Sequence, residues 1–265
     1  MSVGSVILKA ATVVFGVAAI GFIMAEPGGH IDIPQRTWSF DGFFGSYNRA
    51  DLRHGFQIYS EVCSACHSMN LESYRNLEDI GFTPDEVAAI AAKVQVQNED
   101  PNDQGEMFER PGKASDHFKA PFPNEQAARA ANNGALPPDM SLLAKSRAGK
   151  GFGAHNGADY IYALMHGYAE PPAGFKVNPG MNYNKYFKGN QIGMPQPLQD
   201  NAVTYADGTP ATLDEEAKDV ATFLTWVSES NMEQRKHTGI KAILFLVIFT
   251  LLAYAAKRKV WKHIH

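Results

Sequence analysis

Apolar positions along this chain recur mostly every three to four residues, which is the period of helices rather than strands. Across Asn48–Cys63, Leu52, Phe56, Tyr59 and then Val62 or Cys63 fall on one face and predict a first helix. Thr83, with Pro84 at the first helical position and Glu86 three residues after the cap, spells a capping box. The apolar residues that follow predict a helix continuing through Val87–Val96. Shorter helices are predicted at about Glu125–Asn132, stopped by Gly134 and the Pro137-Pro138 pair, and at about Ala158–His166, ended by Gly167. Thr212 and Glu215 spell a second capping box, and Leu213, Ala217, Val220, Leu224 and Val227 make the apolar stripe of the helix behind it. Nothing reads as a sustained alternating strand. Residues 98–123 and 169–212 read as long loops. Loops of this length inside a compact domain call for a cause, and a large cofactor that the chain must wrap is one.

The last apolar run is of another kind. Ala242–Ala256 carries no charge, and with Lys241 snorkelling the span extends over Thr238–Ala256. At about 1.5 Å per residue this nearly matches a hydrocarbon core of about 30 Å. Tyr254 and Trp261 are placed for the interfacial aromatic belt. Four basic residues, Lys257, Arg258, Lys259 and Lys262, follow the span, and the positive-inside rule puts that stub in the cytoplasm or its equivalent. Ala10–Ala25 is a second uncharged stretch, either the core of an export signal or a retained span. The expected organisation is therefore an apolar segment over 1–25, a head outside the membrane over 26–237, an anchor over 238–256 and a basic stub over 257–265.

Composition adds two constraints. The 265 residues carry a net charge of −4, but all 28 acids lie between Glu26 and Glu233. With 16 Lys and Arg in that segment, residues 26–233 carry 16 − 28 = −12. A polyanionic head rules against a nucleic-acid binder and favours a basic partner. Only two cysteines are present, so a disulfide-rich scaffold is excluded.

Both cysteines belong to Cys63-Ser64-Ala65-Cys66-His67. Two thiols three residues apart can form thioethers to both vinyl groups of a haem, with the adjacent histidine held at the iron. A thioredoxin-like pair would open a helix, whereas this motif closes one. Structural zinc would need a second pair of ligands, and no other cysteine exists. The sixth iron position separates electron transfer from ligand chemistry. Met69 is too close to His67 to reach the opposite face, Met165 is on a predicted helix, and Met232 lies at the membrane boundary. Met107, Met140 and Met181 stay open, but Met194 sits in a proline-stiffened loop, Gly193-Met194-Pro195-Gln196-Pro197, which suits a weak thioether ligand. Arg147 is a candidate partner for a propionate, Asn132 and Asn133 either bond a propionate or cap a helix, and Phe56, Tyr59, Tyr160 and Phe187 either line a haem slot or are ordinary core. If the sixth position were open, the reading would change to a membrane-anchored haem enzyme or gas sensor.

These residues, in this order, resemble the cytochrome c1 family, the haem subunits of quinol–cytochrome c reductase (bc1) complexes. The resemblance covers roughly 36–262. It rests on Arg53-His54-Gly55-Phe56-Gln57, the stretch from Val62 to Met69, Gly105-Glu106-Met107-Phe108, Arg110-Pro111-Gly112-Lys113, Ala127–Asp139, Ile192-Gly193-Met194-Pro195, Asp207–Thr212 and the anchored tail. It implies a mainly α fold: a c-type cytochrome-like helical head with long loops wrapping one haem, plus a C-terminal transmembrane helix. In the family the first and last head helices cross. It implies one covalently bound haem c on Cys63 and Cys66, with His67 and Met194 as iron ligands. It also implies Arg147 at a propionate, and Asn132, Pro138 and Tyr160 beside the haem. The partners it implies are cytochrome b, a Rieske iron–sulfur subunit, a soluble basic cytochrome c and the lipid bilayer. No independent catalytic site is expected on the chain. The expected location is a bacterial cytoplasmic membrane with the head in the periplasm; the alternative is a mitochondrial inner membrane facing the intermembrane space. The chain lacks the extra cysteine pair of many family members, and residues 149–157 look like a small insertion.

Overall fold

Asn48 ends an extended segment and accepts a hydrogen bond from the Ala50 amide through its side chain, which starts helix α1, Arg49–Glu61. A computed structural model describes residues 31–98, 100–150 and 154–262. The expected export signal or span, Glu99 and part of the expected insertion lie outside the described residues. A 3-10 turn, Cys63–Ala65, follows α1 directly, so the cysteine motif does close a helix. A 3-10 segment, Tyr74–Ile80, leads to helix α2, Pro84–Ala91, whose Thr83–Glu86 capping box forms in both directions.

Helix α2 is shorter than its apolar pattern predicts. It stops at Ala91 instead of running to Val96, and Gln95–Gln97 becomes strand β1, paired antiparallel with β2, Glu109–Pro111. Val94 and Val96 are β-branched, and the partner strand offers backbone bonds that a continued helix could not use: the Gly112 amide donates to the Val94 carbonyl at 2.9 Å. The first part of the expected loop 98–123 is thus a two-stranded arm. Its base is held by Arg110, which grips Asp116 with both terminal nitrogens at 2.6 and 2.9 Å.

Helices α3 (Glu125–Ala131), α4 (Leu143–Ser146) and α5 (Gly157–His166) come next. The chain from 169 to 212 is mostly irregular, pinned by a short antiparallel pair, β3 (Asn182–Tyr183) with β4 (Gln191–Ile192). Thr212 then caps helix α6, Leu213–Ser228, by accepting from the Glu215 amide.

Helices α1 and α6 cross at the centre of the core, as the resemblance implies. Their closest approach is at Gly55, where a Cβ would lie 2.2 Å from the Asp219 carbonyl oxygen and 2.5 Å from the Phe223 Cβ. Only glycine fits there without separating the helices. Leu52, Phe56, Ile58 and Tyr59 from α1 interlock with Ala217, Val220, Phe223, Leu224 and Val227 from α6. Phe223 stands 5.9 Å from Phe56 and 6.0 Å from Tyr59, ring centre to ring centre.

Helix α6 is buried on more sides than its stripe predicts. Glu216 and Asp219, off the stripe, are fully buried. Glu216 accepts from the Val203 amide at 3.0 Å. One Asp219 oxygen meets His54 Nδ1 at 3.1 Å and the other lies 3.4 Å from Lys218 Nζ. Burial pushes the Asp219 carboxyl up to about 7 despite those positive neighbours.

Helix α7, Met232–Trp261, extends the expected span by several residues at each end. Its base is part of the core, with Met232 buried, whereas Ile243 to Leu252 present mostly exposed apolar side chains. Thirty residues at about 1.5 Å each are long and apolar enough to cross a membrane.

Candidate haem site

The motif at the end of α1 sets the site. Cys63 and Cys66 are free thiols, Cys63 half-buried and Cys66 exposed. Burial, with some help from Cys66, pushes the Cys63 thiol up to about 12. His67 is buried, and its amide donates to the Cys63 carbonyl at 2.9 Å, which folds the motif back on itself. The His67 ring is oriented by a residue far along the chain: Nδ1 lies 2.8 Å from the Pro138 carbonyl oxygen. A carbonyl can only accept, so Nδ1 carries the proton and Nε2 keeps its lone pair for an electrophile. Burial also holds the imidazole pKa below its ordinary value, favouring this neutral form.

Asp139 fixes the Pro138 carbonyl in place. It accepts from Ser68 Oγ at 2.8 Å and from the Asn70 amide at 2.9 Å on one oxygen, and from the Ser141 amide at 2.9 Å on the other. Burial raises its pKa, but the hydrogen bonds from Ser141, Asn70 and Ser68 outweigh that and hold the carboxyl below its ordinary value. The Met140 amide donates to the Ser68 carbonyl at 2.8 Å, stitching the same two segments.

Arg147 and Tyr160 are also brought together. Burial raises the pKa of the half-buried Tyr160 hydroxyl and the charge of the Arg147 guanidinium draws it back, while the guanidinium's hydrogen bond goes to Ser146 Oγ at 3.2 Å. Among the described residues no carboxylate forms an ion pair with Arg147, so its charge is available to an anionic group.

Met194 packs half-buried against the core. Its carbonyl accepts from Tyr168 Oη at 3.1 Å and from Asn182 Nδ2 at 3.2 Å. The preceding Gly193 faces Ala135, which a Cβ there would approach to 3.1 Å, so the methionine loop lies against the turn after α3. Asn132 ends α3 by donating its amide to the Ala128 carbonyl at 2.7 Å, which is the helix-capping alternative. Asn133 takes φ +50°, a left-handed turn that asparagine tolerates. Phe56 belongs to the core, and Tyr59 joins core and motif through its hydroxyl, 3.4 Å from the His67 carbonyl oxygen.

Asp139, Tyr168 and Asn182 were not singled out by sequence. Asp139 directly follows Pro137-Pro138, and Tyr168 directly follows the helix-ending Gly167; both are places where a polar side chain often organises a turn. A cavity of about 710 Å³ lies along α1, among Arg53, Phe56, Tyr59, Phe82, Phe118 and Lys119; it takes in the two aromatic candidates Phe56 and Tyr59 but not Cys63, Cys66, His67, Arg147 or Met194.

A helical head, a CxxCH motif with an oriented histidine and a C-terminal apolar helix define a haem protein of the cytochrome class with a helix able to span a membrane. More narrowly, the chain belongs to the cytochrome c1 family, whose sequence model matches residues 38–264. It is 48% identical over 237 residues to "Cytochrome c1-2, heme protein, mitochondrial" of Solanum tuberosum, covering 89% of this chain and 87% of that protein. It is 40% identical over 275 residues to "Cytochrome c1" of Rhodospirillum rubrum, covering 97% and 98%. It is 46% identical over 247 residues to "Cytochrome b/c1" of Bradyrhizobium diazoefficiens, covering 88% of this chain and 36% of that longer protein.

Proposed function

We propose that this chain relays single electrons from a Rieske iron–sulfur protein to a small, basic, soluble cytochrome c, as part of the bc1 complex of a respiratory or photosynthetic chain. As a cytochrome c1 family member it is a haem-binding electron-transport subunit of that complex. Cys63 and Cys66 would hold one haem c through thioethers, and His67 Nε2 and the Met194 sulfur would take the two axial positions. Arg147 would meet a propionate, with Asn132, Pro138 and Tyr160 beside the ring. Bound there, the haem supplies a one-electron ferric–ferrous couple.

The observation that carries the reading is the 2.8 Å contact between His67 Nδ1 and the Pro138 carbonyl. It leaves Nε2 free as a donor atom at the end of the motif helix. The Pro138 carbonyl makes the imidazole more basic toward a metal by drawing on its other proton. Tyr168 and Asn182 fix the backbone of Met194, so a weak sulfur ligand loses little entropy on binding. The charge of −12 over residues 26–233 steers a basic partner and raises its association rate. The name "Cytochrome b/c1" of the Bradyrhizobium relative favours a cytochrome b as neighbour. The basic stub after α7 favours a head facing the periplasm of a bacterium, or the intermembrane space if the membrane is mitochondrial.

Met194→Leu tests the ligand set. The variant is expected to keep its covalently bound haem by mass spectrometry, to lose the methionine–iron absorption, to lower the midpoint potential and to bind carbon monoxide when reduced. Unchanged potential and absorption would show that another group holds the sixth position. Rapid carbon monoxide binding by the unaltered protein would favour the open-site enzyme or sensor instead.

A further inference from the structure

We propose that the head has a second membrane contact besides α7: the loop Ser39–Ser46, whose tip, Phe43 and Phe44, inserts among the lipids at the bilayer interface. The inference rests on the reading of α7 as the membrane anchor.

Two large apolar side chains at a loop tip are 52% and 83% exposed, Phe43 and Phe44 respectively, and pack edge to face on each other at 5.4 Å. The loop beneath them is rigid. The Ser46 amide donates to the Ser39 carbonyl at 3.0 Å, and the carboxylate of the exposed Asp41 accepts from the Trp38 amide at 2.7 Å. The one acid of the loop is thus tied down, and the tip presents glycine and phenylalanine alone. Gly42 supplies the left-handed φ of +69° that the turn needs.

The loop is bolted to the base of α7. Lys236 Nζ donates to the Phe40 carbonyl at 2.7 Å and to the Gly45 carbonyl at 3.0 Å, one on each side of the tip. Glu233 accepts from the Tyr47 amide at 2.7 Å and from Arg49 at 2.6 Å. Phe40 and Tyr47 are stacked into the core at 5.2 Å from one another. From Lys236 to Ala242, where the uncharged run begins, is six residues, or about 9 Å of helix. The shoulders of the loop are therefore tied to α7 at a level about 9 Å, along the helix axis, from the start of the uncharged run, close to the depth at which aromatic side chains favour the membrane interface. Continuity with α7 picks the lipid surface over a protein partner as the occupant.

The test uses the full chain in the membranes of its host, with p-benzoylphenylalanine placed singly at Phe44, at Phe249 in α7, or at Leu71, an exposed head residue beyond the motif end of α1. After irradiation, lipid adducts are read by mass spectrometry. The expected yield at Phe44 is within about threefold of that at Phe249 and at least about tenfold above that at Leu71, because interfacial aromatics sit at headgroup level. Adducts at Phe44 mainly to another membrane subunit overturn the proposal, since a protein then covers the tip. Lipid yield at Phe44 no higher than at Leu71, with Phe249 still lipid-linked, also overturns it while leaving the anchor intact. Loss of lipid adducts at Phe249 itself refutes the anchor reading, and this proposal with it.

Discussion

Gly55→Ala puts two effects of opposite sign in competition. In a helix interior the substitution gains about 1 kcal/mol, since alanine loses less backbone entropy than glycine. At Gly55, however, the new Cβ would lie 2.2 Å from the Asp219 carbonyl oxygen and 2.5 Å from the Phe223 Cβ. Neither atom is the end of a flexible side chain, so no rotamer change relieves the overlap. Restoring a normal contact needs α1 and α6 to separate by about 1 Å, and a gap of that size forfeits a quarter to a half of the dispersion between facing atoms. Overpacking of this kind costs about 1–3 kcal/mol, and the loosened contacts of Phe223 with Phe56 and Tyr59 put this site at the upper end. The net expectation is a loss of about 2 kcal/mol, or about 4–8 °C in Tm for a chain of this size. Thermal unfolding of the full chain in detergent, followed by circular dichroism, reads the shift. Gly239→Ala, with nothing within 4 Å of the new methyl, is the control and should not lower Tm. A Tm raised by Gly55→Ala would refute the close-packed crossing.

Three further outcomes are expected. Asp219 titrates near 7 in the fold against an ordinary value of 3.8, so its share of stability is full below about pH 4 and is lost as pH rises through 7. Asp219→Asn should flatten the decline of Tm between pH 4 and 8, and an unchanged slope would assign that decline elsewhere. Removing both hydrogen bonds to the Met194 carbonyl with Tyr168→Phe and Asn182→Ala loses about 1 kcal/mol each. Imidazole or carbon monoxide should then displace the sulfur about tenfold or more readily in ligand-binding titrations, and equal affinities would show that the loop holds itself. Electron transfer to a basic cytochrome c should slow as salt rises, because the field of the −12 carried by residues 26–233 is screened; a rate flat from low to high ionic strength rejects steering.

Local chemistry was the legible part of this fold. Caps at Thr83 and Thr212 need only their own next few residues: the box closes in both directions at Thr83, whereas at Thr212 its first half forms, the side chain accepting from the Glu215 amide. The apolar C-terminal run stands out because its length and lack of charge have few other uses. Non-local pairings were not legible. Strand β1 exists because Glu109–Pro111 returns to meet it, and nothing within Gln95–Gln97 announces that. Asp219 and Glu216 read as the wet side of α6, yet they are buried because His54 and Val203 arrive from elsewhere with donors. At the site the contrast is the same. The thiols and His67 are contiguous in sequence, whereas the carbonyl that orients the imidazole is 71 residues away. Resemblance placed Pro138 near the ring, but only the fold gives it a task. Arg147 and Tyr160 are likewise 13 residues apart in sequence, yet close enough in the fold for the Arg147 charge to act on the Tyr160 hydroxyl.

The fastening of Glu233 and Lys236 to the segment Phe40–Arg49 has a consequence for traffic between subunits. A head joined to its anchor by a slack tether could swing between donor and acceptor and carry charge by its own travel. Here the first turns of the anchor are mortised into the globule, leaving no hinge at that junction. If the chain relays electrons as proposed, it would act as a fixed post, and any travel between donor and acceptor would fall to its neighbours.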